Sequence, residues 1–412
     1  MDQKTPVDAH HDAALDRLIE IVLASGPVES LTDKYFTNTR KIVEANGDVE
    51  VTYAIFLRRR SIAALEPVTR LIARLVPEAQ IKRFYREGEI VPSERKLMEV
   101  SGPMSKLSEV ETLMLQKTGF PCISANNAYE MCRAVPNASF LDMHARHGSG
   151  AEMNILAAYG ASVGSTAAKA KDPAIKGFVG SSQDITSPLF GAPRGLGTMP
   201  HALIGYTDGD VLEATKLFAD MLPDAAALIA LVDYRAEEVT DSLRCARWFY
   251  EEAKLHDKGK TFGVRLDTHG ARFAEGLDYE KSVETVGAWL DTDGEYNIVE
   301  KVLGQQVFQL DTDNILVDRV RRILFGAGVS VASIIHTRSA LDEAGYKDTQ
   351  IVASSGFGPQ KCVITGAART PVDMIGTGSF LPATLTETYA TADIISYDGK
   401  KLVKTGREFL FE

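Results

Sequence analysis

The chain has 412 residues, 45% hydrophobic and 25% charged, a balance that suits two or three globular domains or one elaborated barrel. Its net charge of −11 argues against general binding to nucleic acid or acidic membranes, so an anionic substrate would need a local basic pocket. Cys122, Cys132, Cys245 and Cys362 lie far apart without a C-x-x-C pair. That spacing argues against a zinc knuckle or a disulfide framework and suits a reducing cytosol.

From the N-terminus, Met1-Asp2-Gln3-Lys4 lacks the basic and apolar stretches of an export signal, and no run approaches membrane-spanning length. Leu15, Leu18, Ile19, Val22 and Leu23 share one helical face, ended by Gly26-Pro27. His10 and His11 before it are expected as solvated end residues. Val49, Val51, Tyr53, Ile55 and Leu57 alternate as a strand, and a helical pattern follows over 65–75, interrupted by Pro67. The triplet Arg58-Arg59-Arg60 reads as a solvated strand end. Short strands are predicted at Ile90-Val91 and 97–100, then a helical stripe of Leu107, Val110 and Met114. These elements form a small α+β unit over 1–125.

Beyond Ala125 the rhythm changes. Short apolar runs end in Gly, Ser, His, Asp or Arg: Phe140-Leu141, Phe178-Val179, Leu203-Ile204, 228–232, 262–264, 351–353 and Met374-Ile375. Helical stretches separate them, such as Val211, Ala214, Phe218 and Met221. Alternating strands and helices imply a parallel sheet, and this many units favour an irregular, TIM-like β/α barrel over 126–382. The segment 383–412 is expected to pack back on the first domain.

Barrel chemistry collects at the C-terminal strand ends, where the polar clusters fall. Asp142, His144, Arg146 and His147 follow Leu141, and Gly180-Ser181-Ser182 follow Val179. The stretch Gly195-Leu196-Gly197-Thr198-Met199-Pro200-His201 brings one histidine next to the run Ala202-Leu203-Ile204, where a barrel strand would carry it. Asp233 and Arg235 follow Val232, and Arg265, Asp267 and His269 end another strand. Ser354-Ser355-Gly356 and Gly376-Thr377-Gly378-Ser379 are small-residue loops whose amides could cradle a phosphate. Arginine forks suit carboxylate or phosphate, and the aspartates suit ribose hydroxyls or the water shell of magnesium. The set describes a phosphorylated sugar with a small anionic partner.

In this order the clusters resemble the nicotinate phosphoribosyltransferase family, most closely its shorter archaeal-type branch, over about 32–382. The resemblance rests on Thr32-Asp33-Lys34-Tyr35-Phe36, Glu87-Gly88-Glu89-Ile90-Val91-Pro92, Val100-Ser101-Gly102-Pro103, Glu111-Thr112-Leu113-Met114-Leu115 and Asp142-Met143-His144-Ala145-Arg146. It continues through 197–201, Val232-Asp233, Arg265-Leu266-Asp267 and the two small-residue loops. It implies ATP-coupled transfer of phosphoribose from phosphoribosyl pyrophosphate to nicotinate in NAD biosynthesis, with Mg2+, in a cytoplasmic homodimer or higher oligomer with shared sites. The resemblance makes His201 the transiently phosphorylated residue and sets Asp233 and Asp267 against ribose or magnesium. Tyr35 would stack on the pyridine from a second subunit, and Arg265 would meet the nicotinate carboxylate. Arg146 would lie near the phosphoribosyl phosphate. Ser181 joins the binding set, and Ser354, Ser355, Gly356, Gly376, Gly378 and Ser379 would take the 5′-phosphate.

The chain departs from the family pattern in places. His147 stands where the family has Arg, His144 replaces a common Gly that needs backbone room, and Thr268-His269-Gly270 replaces Ser-Gly-Asp. Asn126-Asn127-Ala128-Tyr129-Glu130 stands where Lys and Arg are frequent. His144 and His147 also have a spacing open to a metal, and His256 and His336 read as surface residues. Three readings stay open: the nicotinate enzyme, a phosphoribosyltransferase for quinolinate or another heterocyclic acid without ATP, and an inactive barrel kept for partner binding.

Overall fold

A computed structural model describes residues 6–304 and 314–412 of the chain. Helix α1 (Pro6–Ala24) buries Leu15, Leu18, Ile19 and Val22, the stripe that helical periodicity marks. His11, expected in solvent, is held instead. Its Nε2 meets Leu189 O at 2.7 Å and its ring lies edge-on to Tyr159, because α1 packs on later elements rather than projecting from them. Met1-Asp2-Gln3-Lys4 and the side chain of His10 lie outside the described residues.

Helix α2 (Lys34–Asn46) leads to β1 (Glu50–Leu57). Both faces of β1 are covered: Tyr53, Ile55 and Leu57 enter the main core, while Ala54 and Phe56 pack with Ile395 and Leu410. Helix α3 (Glu66–Leu75) is opened, not interrupted, by Pro67, which sits in the first turn where its missing N–H has no helical partner to lose. Strands β2 (Gln80–Arg83) and β3 (Lys96–Pro103) follow, with Ile90–Val91 pairing to Ser61–Ile62 between them.

Helix α4 (Met104–Ala134) spans 31 residues and runs unbroken through position 125, with buried Pro121 inside it. It packs along α5 (Ala151–Lys171). Gly160 and Gly164, one turn apart on α5, allow this: a Cβ at Gly160 would meet Pro121 O at 2.4 Å, and one at Gly164 would meet Ala125 O at 2.0 Å.

The strands and helices then alternate. They are β4 (Ser139–Asp142), β5 (Gly177–Ser181), α6 (His201–Tyr206), α7 (Val211–Met221), β6 (Ala227–Leu231), α8 (Glu238–Arg247), β7 (Thr261–Leu266), β8 (Gln350–Ala353), α9 (Pro359–Ala367) and β9 (Met374–Thr377). Between β7 and β8 the helices Tyr279–Leu290, Glu295–Gly304, Asn314–Phe325 and Val331–Glu343 build a second hydrophobic cluster together with Ile364 and Ala367 of α9. The chain closes with β10 (Ala390–Tyr397) and β11 (Lys400–Lys401).

Two principal sheets result. The antiparallel one has the order β11-β10-β1-β3-β2, so residues from both ends of the chain share it. The other is six-stranded and wholly parallel, in the order β5-β4-β9-β8-β7-β6. No ladder joins its edge strands β5 and β6 among the described residues.

The run Leu203-Ile204, expected as a strand, forms part of α6 instead. Of that helix only Ile204 is buried, whereas a strand in a covered parallel sheet needs both faces apolar. No helix among the described residues is long and apolar enough to cross a membrane.

Candidate active site at the strand ends

The ends of β4, β5, β7, β8 and β9 carry polar residues or small-residue turns that meet around a cavity of about 560 Å3, and β6 leads to Asp233 beside it. Its wall includes Arg146, His201, Arg265, Asp267, Ser354, Ser355, Gly356, Gly376, Gly378 and Ser379. Ten of the thirteen residues singled out in the sequence therefore share one wall. A larger cavity of about 780 Å3 lies under α1, lined by His11, Arg70, Glu87 and Tyr159 among others. None of the strand-end motifs reaches it.

The β4 end is built on buried Asp142, whose carboxylate accepts from His144 N at 2.8 Å and Ser181 Oγ at 3.1 Å. Burial pushes its pKa up to about 6, and those two hydrogen bonds oppose the shift. Ser181 is spent on this contact and on Thr186 Oγ1, behind the wall rather than in it. Arg146 and His147 are exposed at the rim, with Arg146 Nε donating to His147 Nε2 at 3.3 Å.

His144 has ordinary right-handed backbone angles, φ −67 and ψ −25, so the glycine room expected there is not required. Its buried ring meets Gly378 O through Nδ1 at 3.1 Å, and burial lowers its pKa. No group of three or more His, Cys, Asp or Glu placed to hold a metal occurs among the described residues.

The 195–200 loop is anchored at both ends. Leu196 N donates to Ser181 O at 2.7 Å, and its side chain seats where a Cβ on Gly180 would stand 2.7 Å from Leu196 Cδ1. Arg265, on β7, donates to Thr198 Oγ1 at 2.8 Å and to Met199 O at 3.0 Å. The loop delivers His201 to the start of α6, not to a strand. There Nε2 faces Asp233 Oδ1 at 2.9 Å, which leaves Nδ1 without a hydrogen bond among the described residues. Asp233 is buried beside β6; its pKa is raised by burial and pulled back by His201.

Arg265 is 8% exposed and forms no ion pair among the described residues. Its Nε has no hydrogen-bond partner among the described residues, and burial lowers its pKa against the opposing pull of Asp267 and Asp233. A buried cation in that state is costly until an anion arrives. Asp267 accepts from Ser354 Oγ at 2.9 Å.

The amides of Ser355, Gly356, Gly378 and Ser379 make no hydrogen bond among the described residues. The second loop is pressed against β4, since a Cβ on Gly378 would stand 2.7 Å from Met143 O. Four such N–H groups around a polar cavity are suited to an oxyanion.

Other expectations resolve differently. Tyr35 is 62% exposed on α2, its ring tilted against Phe36 with centroids 4.1 Å apart, and lines a separate cavity with Tyr53, Glu111 and Asp393. Within one chain it is not brought to the strand ends. Thr268 is buried against Glu238 Oε1 at 2.9 Å, and exposed His269 accepts from Ala271 N, so neither stands in the cavity wall. Asn127 donates to Leu381 O and Ala383 O, bracing the segment after β9. His256 is exposed and His336 half-buried.

Sequence reasoning missed Lys361, whose Nζ donates to Ser355 O at 2.8 Å. The signal was a lysine five residues beyond Gly356, in the first turn of the following helix.

The sequence matches no protein-family model and no curated protein. Solved structures do resemble this one. Nicotinate-nucleotide pyrophosphorylase from Pyrococcus furiosus is 22% identical with a TM-score of 0.64, over 92% of this chain and 78% of that one. Human nicotinic acid phosphoribosyltransferase is 15% identical with a TM-score of 0.55, over 90% and 75%. NadC from Streptococcus pyogenes is 12% identical with a TM-score of 0.52, over 98% and 100%. At these identities the likeness is one of fold.

Proposed function

We infer that the chain transfers phosphoribose from phosphoribosyl pyrophosphate to nicotinate, giving nicotinate mononucleotide and pyrophosphate, with ATP hydrolysis coupled through His201. One observation carries this reading. A single cavity joins a buried arginine with no carboxylate partner among the described residues to two loops with four amides unbonded among them. The first suits a ring carboxylate and the second a sugar phosphate. The names of the structural neighbours, a nicotinate-nucleotide pyrophosphorylase and a nicotinic acid phosphoribosyltransferase, agree with that pairing. In this reading the parallel sheet is an irregular, TIM-like barrel opened between β5 and β6, with the His201 segment in the gap.

Arg265 holds the carboxylate and aims the pyridine nitrogen at the sugar. That nitrogen's lone pair forms the new bond to C1′ as pyrophosphate leaves with the old bonding pair, and no proton moves. Positive charge grows on the sugar between these events. Asp267 lies in the wall to stabilise it, while Asp233 is committed to His201. Asp267 is the wall carboxylate that would meet Mg2+ carried by the pyrophosphate, with Asp233 held on His201. When bound, the ion offsets the charge of the leaving group. Arg265 is the buried cation of the wall, and Arg146 is exposed at the rim, which supports a monocarboxylate over quinolinate.

Asp233 fixes the imidazole with its proton on Nε2, so Nδ1 presents the lone pair that takes a phosphoryl group from ATP. His201→Asn keeps a polar side chain but has no such acceptor. Its mononucleotide formation is expected to be slow and indifferent to ATP, with no acid-labile phosphoenzyme on labelled-phosphate incorporation. ATP stimulation at the wild-type level in this variant would remove the coupling role. Complete loss of the ATP-free reaction would assign His201 to sugar transfer instead.

A further inference from the structure

Lys361 lies in the first turn of α9, and its side chain folds back over the loop that precedes the helix. Its Nζ donates to Ser355 O at 2.8 Å and stands 4.1 Å from the centre of the Phe357 ring. That carbonyl uses one of the three ammonium donors. No carboxylate pairs with Lys361 among the described residues, and Asp267 acts on it only from a distance.

The loop it holds is strained. Ser355 has φ +75 and Gly356 φ +74, both left-handed, and serine carries a Cβ that disfavours that region. Fixing Ser355 O to the ammonium keeps this conformation while the amides of Ser355 and Gly356 stay unbonded. Phe357, against which the ammonium packs, also lines the cavity. A half-buried cation, without a counter-ion among the described residues, thus stands behind two amides unbonded among them. The missing member is an anion.

We propose that Lys361 supplies the positive charge for a phosphate monoester seated on the 354–356 and 376–379 loops. The proposal rests on the phosphoribosyl reading and assigns the cation that meets the sugar's 5′-phosphate. Lys361 and Arg265 then divide the work, one for the phosphate and one for the ring carboxylate. Burial pushes the Lys361 ammonium down to about 8, and a phosphate beside it would restore its preference for the charged form.

The test is calorimetric titration of ribose 5-phosphate into wild type, Lys361→Met and Lys361→Arg, with steady-state kinetics alongside. The Met variant should bind ribose 5-phosphate at least about tenfold more weakly and raise the KM for phosphoribosyl pyrophosphate similarly. The KM for nicotinate should stay within roughly twofold, and the Arg variant should recover most of the affinity. Unchanged ribose 5-phosphate affinity in Lys361→Met overturns the proposal. So does an equal rise in both KM values, which marks a purely structural residue. If Lys361→Met does not fold, Lys361→Gln is read by the same criteria. Failure of wild type itself to bind ribose 5-phosphate would overturn the phosphoribosyl reading, and this proposal with it.

Discussion

At the scale of single residues, charge and partner count decide what each group can do. Arg265 gives two hydrogen bonds to the 198–199 backbone and side chain, yet keeps a buried Nε with no acceptor among the described residues. Leaving a charged partner unpaired in such a site typically costs about 1–3 kcal/mol or more. Arg265→Ala should therefore lower kcat/KM for nicotinate by roughly tenfold to several hundredfold, at about 1.4 kcal/mol per tenfold. It should affect nicotinamide less, because an amide gains no charge-assisted fork. Wild-type kinetics with nicotinate would mean that another group holds the carboxylate. Arg265, Asp267 and the small-residue loops were legible in sequence because they sit at strand ends, where residue type and position agree. Ser181 and Thr268 were not, since only the fold reveals that each is consumed by a buried acid, Asp142 or Glu238.

At the scale of elements, strands were read well wherever an apolar run was long enough to be buried on both faces, as at 228–232 and 351–353. Pairs as short at 140–141 and 374–375 do form strands, but Pro200 before Leu203-Ile204 and Asp208-Gly209 after it confine that segment to a short helix. Of helix α4 only the first part, the Leu107, Val110 and Met114 stripe, is legible; its central part buries polar Lys117, Thr118, Ser124 and Asn127 along with apolar residues, packed by α5 and by the antiparallel sheet, so its period fades.

One residue of α4, Glu111, predicts a pH effect. Burial pushes its pKa up to about 7, a hydrogen bond from Tyr53 opposes the shift, and Asp393 and Asp33 add repulsion. Between about pH 4 and 7 the folded chain binds this proton more tightly than the unfolded chain, so stability falls as pH rises and the cost is complete above that window. Glu111→Gln removes the charge. The variant should gain on wild type between pH 5 and pH 8, by at most about 3 kcal/mol, in urea-unfolding midpoints. An identical difference at both pH values would place the raised carboxyl elsewhere.

At the scale of the molecule, the two sheets divide the labour. The parallel sheet gathers the strand-end residues at one end, while Tyr35 stays exposed on the other unit, near Glu111. The β/α rhythm and the order of motifs made the parallel sheet legible, but no sequence pattern shows which surfaces meet in an oligomer. If Tyr35 reaches the pyridine of a second subunit, mixing Tyr35→Ala with Arg265→Ala chains restores one intact site per mixed dimer. Partial recovery of activity is expected in mixtures where mixed dimers are shown by mass. Mixed dimers without recovery would confine each site to one chain.

The central claim is that this cavity joins phosphoribose to a pyridine monocarboxylate. Pyrophosphate release from phosphoribosyl pyrophosphate, measured with nicotinate, nicotinamide and quinolinate, each with and without ATP, addresses it most directly. The account predicts release with nicotinate, stimulated by ATP, and little with nicotinamide or quinolinate. Release with quinolinate that ignores ATP, or no release with any base, would contradict it.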